Sequence, residues 1–344
     1  MAISHKFNSG FEITDYTKEL MLVPNMWSLM GDQGLFRQEN VGTNTVTFDK
    51  SYQTAQAVVD KPYGERTSFG GNGKTQLYTF AIPSFPLDDI VTVGDVWNQR
   101  RVGTADQRAT VDQAVAKKIM QIRRSHAITR EYARCKAIQG EKYAPNATIS
   151  TSSWYTEFGV AQKTVAFDFT NTAVDQHEKV QEVVAHIQDN FKGSGILEEI
   201  VFYCTPKFFA AMRSNEQIEA AFTYWETTQN PLQSGLRDGL MRKFRWSNVT
   251  FIEYRGALPD GTAMLPESTY GTAWAVAKGA DTLVEYNAPA YRLDAIGSTG
   301  ASEAYLWTYE DRQSTNIRVH SESNYLIMNQ RPELVVKCGA GASV

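Results

Sequence analysis

Residues 41–82 read VGTNTVTFDKSYQTAQAVVD (41–60), KPYGERTSFGGNG (61–73) and KTQLYTFAI (74–82). Both flanks alternate β-branched or aromatic residues with polar ones, the period-two pattern of half-buried strands. The middle carries Pro62 and four glycines, which supply turns rather than ladders. The stretch predicts a β-hairpin with a mobile tip, inside an extended loop that spans 41–93. An arm of about 15 residues rising ~3.3 Å each reaches ~50 Å. A compact body of this length has a radius of gyration of roughly 20 Å, so the hairpin must project or drape over something. An isolated two-stranded hairpin is marginal in water, and a neighbouring subunit is its simplest support.

After the hairpin, the chain predicts one uninterrupted helix over 105–139. Thr104 and Gln107 make a capping box, Gly140 closes the helix, and no proline intervenes. Val111, Val115, Ile119, Ile122, Ile128 and Tyr132 keep to one face only loosely, drifting as a long helix does. About 35 residues at ~1.5 Å give ~50 Å, the full width of the subunit.

Upstream, residues 1–40 read as an arm, with scattered apolar residues cut by Pro24, Gly31 and Gly34 and a short helix over 14–23 capped by Thr14 or Asp15. Downstream, residues 174–191 form an amphipathic helix stopped by Gly193. LEEIVFYC (197–204) is a buried strand, and a helix starting near Pro206 runs through KFFAAMRSNEQIEAAF. FRWSNVTFIEYR (244–255) reads as a strand, 257–268 as a loop and GTAWAVAK (271–278) as a strand. RPELVVKC is a last strand before a frayed end. This order is mixed, α+β, without an internal repeat.

Composition narrows the function. The 344 residues suggest one large or two medium domains, and the net charge of −4 gives no global electrostatic reason to bind nucleic acid. Cys135, Cys204 and Cys338 are odd in number and widely spaced, which fits reduced thiols of a cytosolic assembly environment rather than disulfides or zinc. The start, MAISHKFNSG, is too polar for a signal peptide, so the NAT (146–148) and NVT (248–250) triplets are chance matches to a glycosylation pattern. No stretch approaches ~20 apolar residues, so no membrane span is expected. The aromatic share of 12% fills a core and also suits extensive protein contact.

No catalytic cluster emerges. GGNGKT (70–75) resembles a phosphate loop, but the pattern needs glycine where Ser68 stands and a following helix where a strand is predicted. His177 and His186 are nine apart, on opposite helix faces, and His5, His126 and His320 are isolated. With no HExxH and no GxSxG, the expectation is no enzyme, no metal and no cofactor. Residues 100–136 hold ten basic residues against three acids, a local excess of seven. That run reads either as a solvated face with salt bridges or as a surface toward packed polyanion without sequence readout. Tyr132 alone interleaves with it, so base stacking is not supported.

Arm, projecting hairpin, subunit-wide helix and α+β body together resemble the Hong Kong-97-type capsid fold of tailed phages. The C-terminal third, EYNAPAYRLDAIGSTGASEAYLWTYEDRQSTNIRVHSESNYLIMNQRPELVVKC, is more specific. Its aromatic strand, charged linker, Arg318 segment and return through Arg331, Pro332 and ELVVK resemble the lambda-type major head proteins, capsid family E. FRWSNVTFIEYRG, ALPDGTAMLPESTYGTAWAVAKG and the helix end IQGEKY are similar to that family too.

The resemblance implies a major capsid protein that self-assembles, as pentamers and hexamers, into an icosahedral shell around double-stranded DNA in the host cytoplasm. It implies an N-terminal arm (1–40), an extended loop (41–93), a peripheral domain with its spine helix (94–160), an axial domain (161–320) and a C-terminal strand of the peripheral domain with a tail (321–344). Lys61, Pro62, Tyr63, Arg66 and Phe69 become candidates for inter-subunit contact at the hairpin tip. Arg108, Lys117, Lys118, Arg123 and Arg124 become candidates for facing packaged DNA. Scaffolding, portal and decoration proteins are the implied partners, and no membrane is. Some relatives carry a cleaved N-terminal scaffolding segment; an arm beginning at Met1 predicts little cleavage and a separate scaffold. Some also crosslink Lys to Asn; Lys50, Lys61 and Lys74 lie on the hairpin without a motif that marks one as reactive, so no crosslinking is expected. The rival readings are a cellular nanocompartment of the same fold and a metabolic enzyme with a projecting dimerisation arm.

Overall fold

The structure, a computed structural model, describes residues 14–15, 29–52, 74–96, 111–143, 153–191, 197–219, 243–279, 282–295, 298, 300, 302–311 and 315–342. The expected hairpin tip (within 53–73), the expected first residues of the helix (105–110) and most of the arm before residue 29 lie outside the described residues.

Two sheets flank one long helix, and a hairpin packs on the first sheet. The first sheet contains β1 (Thr14–Asp15), β2 (Arg37–Asn40), β5 (Ser84–Thr92), β11 (Leu283–Asn287), β12 (Tyr305–Glu310) and β13 (Asn316–Asn329). Its organiser is β13, which pairs with β5 along one side and with β12 and then β11 along the other. The second sheet runs β6 (Lys163–Ala166), β14 (Val335–Gly339), β10 (Thr272–Lys278), β7 (Glu199–Cys204), β9 (Val249–Glu253), β8 (Lys243–Trp246). β3 (Thr45–Tyr52) and β4 (Lys74–Ala81) form the hairpin in a continuous antiparallel register from Thr45↔Ala81 to Tyr52↔Lys74, as the alternating pattern requires.

The helices are α1 (Leu29–Asp32), α2 (Val93–Val96), α3 (Val111–Gln139), α4 (Trp154–Phe158), α5 (Gln176–Phe191) and α6 (Pro206–Arg213). The second sheet is buried on both faces, which explains its near-continuous apolar strands. Ile200, Phe202 and Cys204 of β7, with Ala273, Ala275 and Ala277 of β10, meet α5 and α6. The alternate residues Val201, Tyr203, Trp274 and Val276 pack toward Cys135 and Ile138 of α3.

This double cover accounts for the loose periodicity of α3. Val115, Ile119 and Ile122 pack on Val91, Leu306 and Val319 of the first sheet, and Ala133 and Ala137 continue that stripe against Tyr325 and Ile327. In its last two turns the helix therefore buries two faces at once. Gly140 has φ +83°, as a helix-closing glycine should, and a Cβ there would lie 2.1 Å from the Tyr155 ring.

Several sequence expectations need correction. Thr14 and Asp15 pair with Thr308 and Trp307 as a strand, and the rest of the expected helix, 16–23, lies outside the described residues. The single strand over 244–255 is a hairpin, β8–β9, turned at Ser247 and Asn248 with φ of 52° and 64°, the left-handed pair of a two-residue turn. The helix from Pro206 ends at Arg213. Asn215 then spends its side chain on the backbone, accepting from the Gln217 N–H and donating to the Phe169 carbonyl, a local competition that breaks helices. Strands β11 to β13 join the sheet on the long helix, whereas β14 sits inside the other sheet, parallel to β6 and antiparallel to β10.

Candidate assembly site: hairpin root and helix centre

The root of the hairpin is pinned by aromatic rings. Val46, Phe48, Tyr78 and Phe80 share its inner face, and they meet Trp154 and Phe158 of α4. Tyr78 and Phe80 approach edge-on, 5.1 Å from the Phe158 centroid and 5.3 Å from the Trp154 centroid respectively. The Lys50 ammonium stands 4.7 Å over the Phe158 ring. The chain's own α4 therefore supports the root, where the sequence pattern makes a neighbouring subunit the simplest support. The outer face, with Thr47, Asp49, Leu77 and Thr79, is exposed. The signal for α4 was present: Ser153 caps it by accepting from the Tyr155 N–H, and Gly159 ends it at φ 62°. All five tip candidates, Lys61, Pro62, Tyr63, Arg66 and Phe69, lie outside the described residues.

The helix centre is ionic. Glu285 of β11 is wholly buried between two arginines of α3. Its Oε2 accepts from Arg134 Nε at 3.1 Å and Nη2 at 2.9 Å, and its Oε1 accepts from Arg130. Arg130 also donates to Asn287 Oδ1 at 3.2 Å and to the Glu303 carbonyl at 2.7 Å, with its guanidinium 4.5 Å from the Tyr325 ring. Burial pushes the Glu285 carboxyl upward, but the two guanidiniums outweigh it and hold the group below the ordinary range. Glu131, one turn away, is moved the other way. Burial holds its carboxyl above the ordinary range, against the opposing pull of the Met30 N–H, Arg134 and Tyr254.

Nearby, burial and then Arg130 push the His126 ring down to about 4. Its Nε2 lies 2.9 Å from Ser321 Oγ, and that hydroxyl donates to the Leu87 carbonyl. Nε2 must therefore carry the proton.

The basic run of α3 thus has two fates. Arg130 and Arg134 are internal. Lys118 is engaged with Asp89 at 3.1 Å, and Arg123 is half-buried. Lys117 and Arg124 are exposed, seven residues and so about two turns apart on one stripe. Arg108 lies outside the described residues.

On the far side of the first sheet from α3, a groove is lined by Asp88, Trp307, Tyr309, Arg318 and His320. Beside it Tyr291 and Leu293 are 93% and 91% exposed. Among the described residues no group of three or more His, Cys, Asp or Glu gathers for a metal, and no helix is long and apolar enough to cross a membrane. The three cysteines are free and buried.

The surroundings of this geometry are recognisable in other proteins. The chain is 30% identical to the major capsid protein of Pseudomonas phage KPP10 over 96% of its own length and 97% of the relative's. It is 24% identical to the major capsid protein of Salmonella phage Felix O1, covering 99% of each. In structure it is similar to a subunit of the bacteriophage PhiM1 mature capsid, with a TM-score of 0.52 at 13% identity over 98% of this chain and 91% of that one, a likeness of fold. The sequence profile of phage major capsid protein E matches residues 12–340, a span that includes the hairpin, the long helix and both sheets. The chain belongs to the phage major capsid protein E family and is a phage major capsid protein of the Hong Kong-97-type α+β fold.

Proposed function

We propose that copies of this chain form pentamers and hexamers and close an icosahedral shell around double-stranded DNA in the host cytoplasm. The observation that carries this reading is the span of the family match, residues 12–340. Every part that a shell subunit needs is then on one chain. In this reading the hairpin is the extended loop, whose tip residues Lys61, Pro62, Tyr63, Arg66 and Phe69 reach a neighbouring subunit. The helix α3 and the first sheet form the peripheral domain, and the second sheet with α5 and α6 forms the axial domain. The chain works by burying repeated interfaces rather than by catalysis, with no cofactor. Obligate interfaces commonly bury over ~2,000 Å².

Lys117 and Arg124 are the leading candidates to face DNA, because they are the exposed members of the basic run. Lys118 and Arg123 are secondary, since one is engaged with Asp89 and the other is half-buried; Arg108 remains a candidate from the sequence. Contact of this kind neutralises phosphate without reading bases. A scaffolding protein, a portal and a decoration protein complete the set of partners.

Negative-stain microscopy with sedimentation, on the protein expressed with and without its neighbouring genes, tests the reading. Closed shells, or five- and six-membered rings, are expected. A discrete dimer or tetramer under both conditions would overturn it.

A further inference from the structure

The segment 29–40 touches both halves of the helix junction. The Met30 N–H donates to Glu131 Oε1 at 2.8 Å, and Met30 itself is fully buried. Gly31 lies so close to α3 that a Cβ would stand 2.4 Å from Arg134 Nη1. The Phe36 ring lies 6.0 Å from the Arg134 guanidinium. The segment then runs on as β2, parallel to β11, with Gln38 opposite Glu285. It therefore bridges the helix and the strand that the Arg130–Glu285–Arg134 cluster joins.

Glu131 extends the connection to the second sheet. The Tyr254 hydroxyl, just beyond β9, lies 3.2 Å from the same oxygen, Oε1. Arg134 Nη1 is 3.6 Å from Oε2, and Oε2 accepts no hydrogen bond among the described residues. A carboxylate so poorly supplied with donors depends on each one it has, because a buried polar group that loses its partner keeps the full cost of its desolvation.

We infer that the segment 29–36 is a conformational strap: docked on Glu131 and Arg134, it holds the long helix against both sheets, and displaced from them it loosens the helix from both. One end of the arm thereby controls the junction on which the subunit's internal geometry depends. A neighbouring copy or scaffold that pulls the arm would change the subunit's shape without touching either sheet. Thermodynamic reciprocity makes the coupling run both ways: loosening the helix junction from the β11 side must also loosen the strap.

Hydrogen–deuterium exchange on the full-length, unassembled chain tests this. Gly31→Val should displace the strap while leaving every charge in place. Expected are exchange rates raised by about tenfold or more, the response to losing one buried hydrogen bond, in 130–139 and 283–287 as well as in 29–36. Strands 163–166 and 243–246 should hold wild-type rates. Glu285→Gln should in turn accelerate exchange in 29–36. Acceleration confined to 29–36 in the first variant, or wild-type rates there in the second, would overturn the inference.

If Gly31→Val does not fold, the wild-type chain in sub-denaturing urea suffices. Segments 29–36 and 130–139 should lose protection together, with one denaturant dependence. Opening of 29–36 alone, with a smaller dependence, would make it a passive cover and overturn the inference. The strap is read from a single chain, so its failure would leave the shell assignment untouched.

Discussion

At the hairpin root, Phe48, Tyr78 and Phe80 lie against Trp154 and Phe158 with ring centroids 5.1 to 6.3 Å apart. At the helix centre, Arg130 and Arg134 converge on Glu285 with the carboxylate entirely buried. Both regions fasten a long element to the body, by different physics. Aromatic contact is broad in direction and tolerates edge-on and stacked arrangements at similar energy. A buried ion cluster is satisfied in one register and is costly when a partner leaves. The root can therefore rock while staying attached, whereas the helix centre holds one alignment. In the proposed shell, that division suits a hairpin that meets neighbours at differing angles.

The largest effect should come from the ionic side. Glu285→Ala leaves two buried guanidiniums without their carboxylate and should cost about 3–5 kcal/mol, read as a lowered urea midpoint. A cost under ~1 kcal/mol would break the comparison. On the aromatic side, Phe158→Ala should cost about 3 kcal/mol. It should free the hairpin, with faster exchange in β3 and β4 and unchanged exchange in 130–139.

Acid separates the contributions by pH window. His126 is neutral in the fold, at about 4, against an ordinary 6.5. The unfolded chain takes up that proton first, so stability is full above about 6.5 and falls as pH drops toward 4, by at most ~3 kcal/mol. Glu285, held below its ordinary 4.5, contributes above that value and loses its contribution as pH falls through its lower folded value. His126→Gln should flatten the upper window alone, and a slope that survives this substitution would count against the assignment. The smallest perturbation is chemical. Burial raises the pKa of all three thiols, so a thiol reagent should label none of them in the native chain and all three after unfolding.

The hairpin and the long helix were legible because each is written in local periodicity. Val46, Phe48, Tyr78 and Phe80 alternate with polar neighbours, and Gly140 marks the helix end. The β8–β9 turn was not legible, because Ser247–Asn248 lacks the glycine that usually announces a two-residue turn. The ionic centre escapes a sequence reading for a deeper reason. Arg130 and Arg134 look like the other basic residues of the run, and the residue that neutralises them lies some 150 positions away on β11. Charge counted along a chain cannot distinguish a guanidinium that faces solvent from one that faces a distant carboxylate. Among the described basic residues of the run, Lys117 and Arg124 are the exposed ones.

The position of β14 sets a schedule. Residues 335–339 sit between β6 and β10, with Val336 opposite Lys163 on one side and Ala275 on the other. The ribosome makes both neighbours well before it makes β14, so during synthesis the second sheet has a gap where a strand belongs. Contacts that distant in sequence close slowly, and an open strand edge invites the wrong partner. The nascent chain thus carries an exposed β10 edge until its last described strand is translated, and newly made subunits need isolation from one another most during that interval.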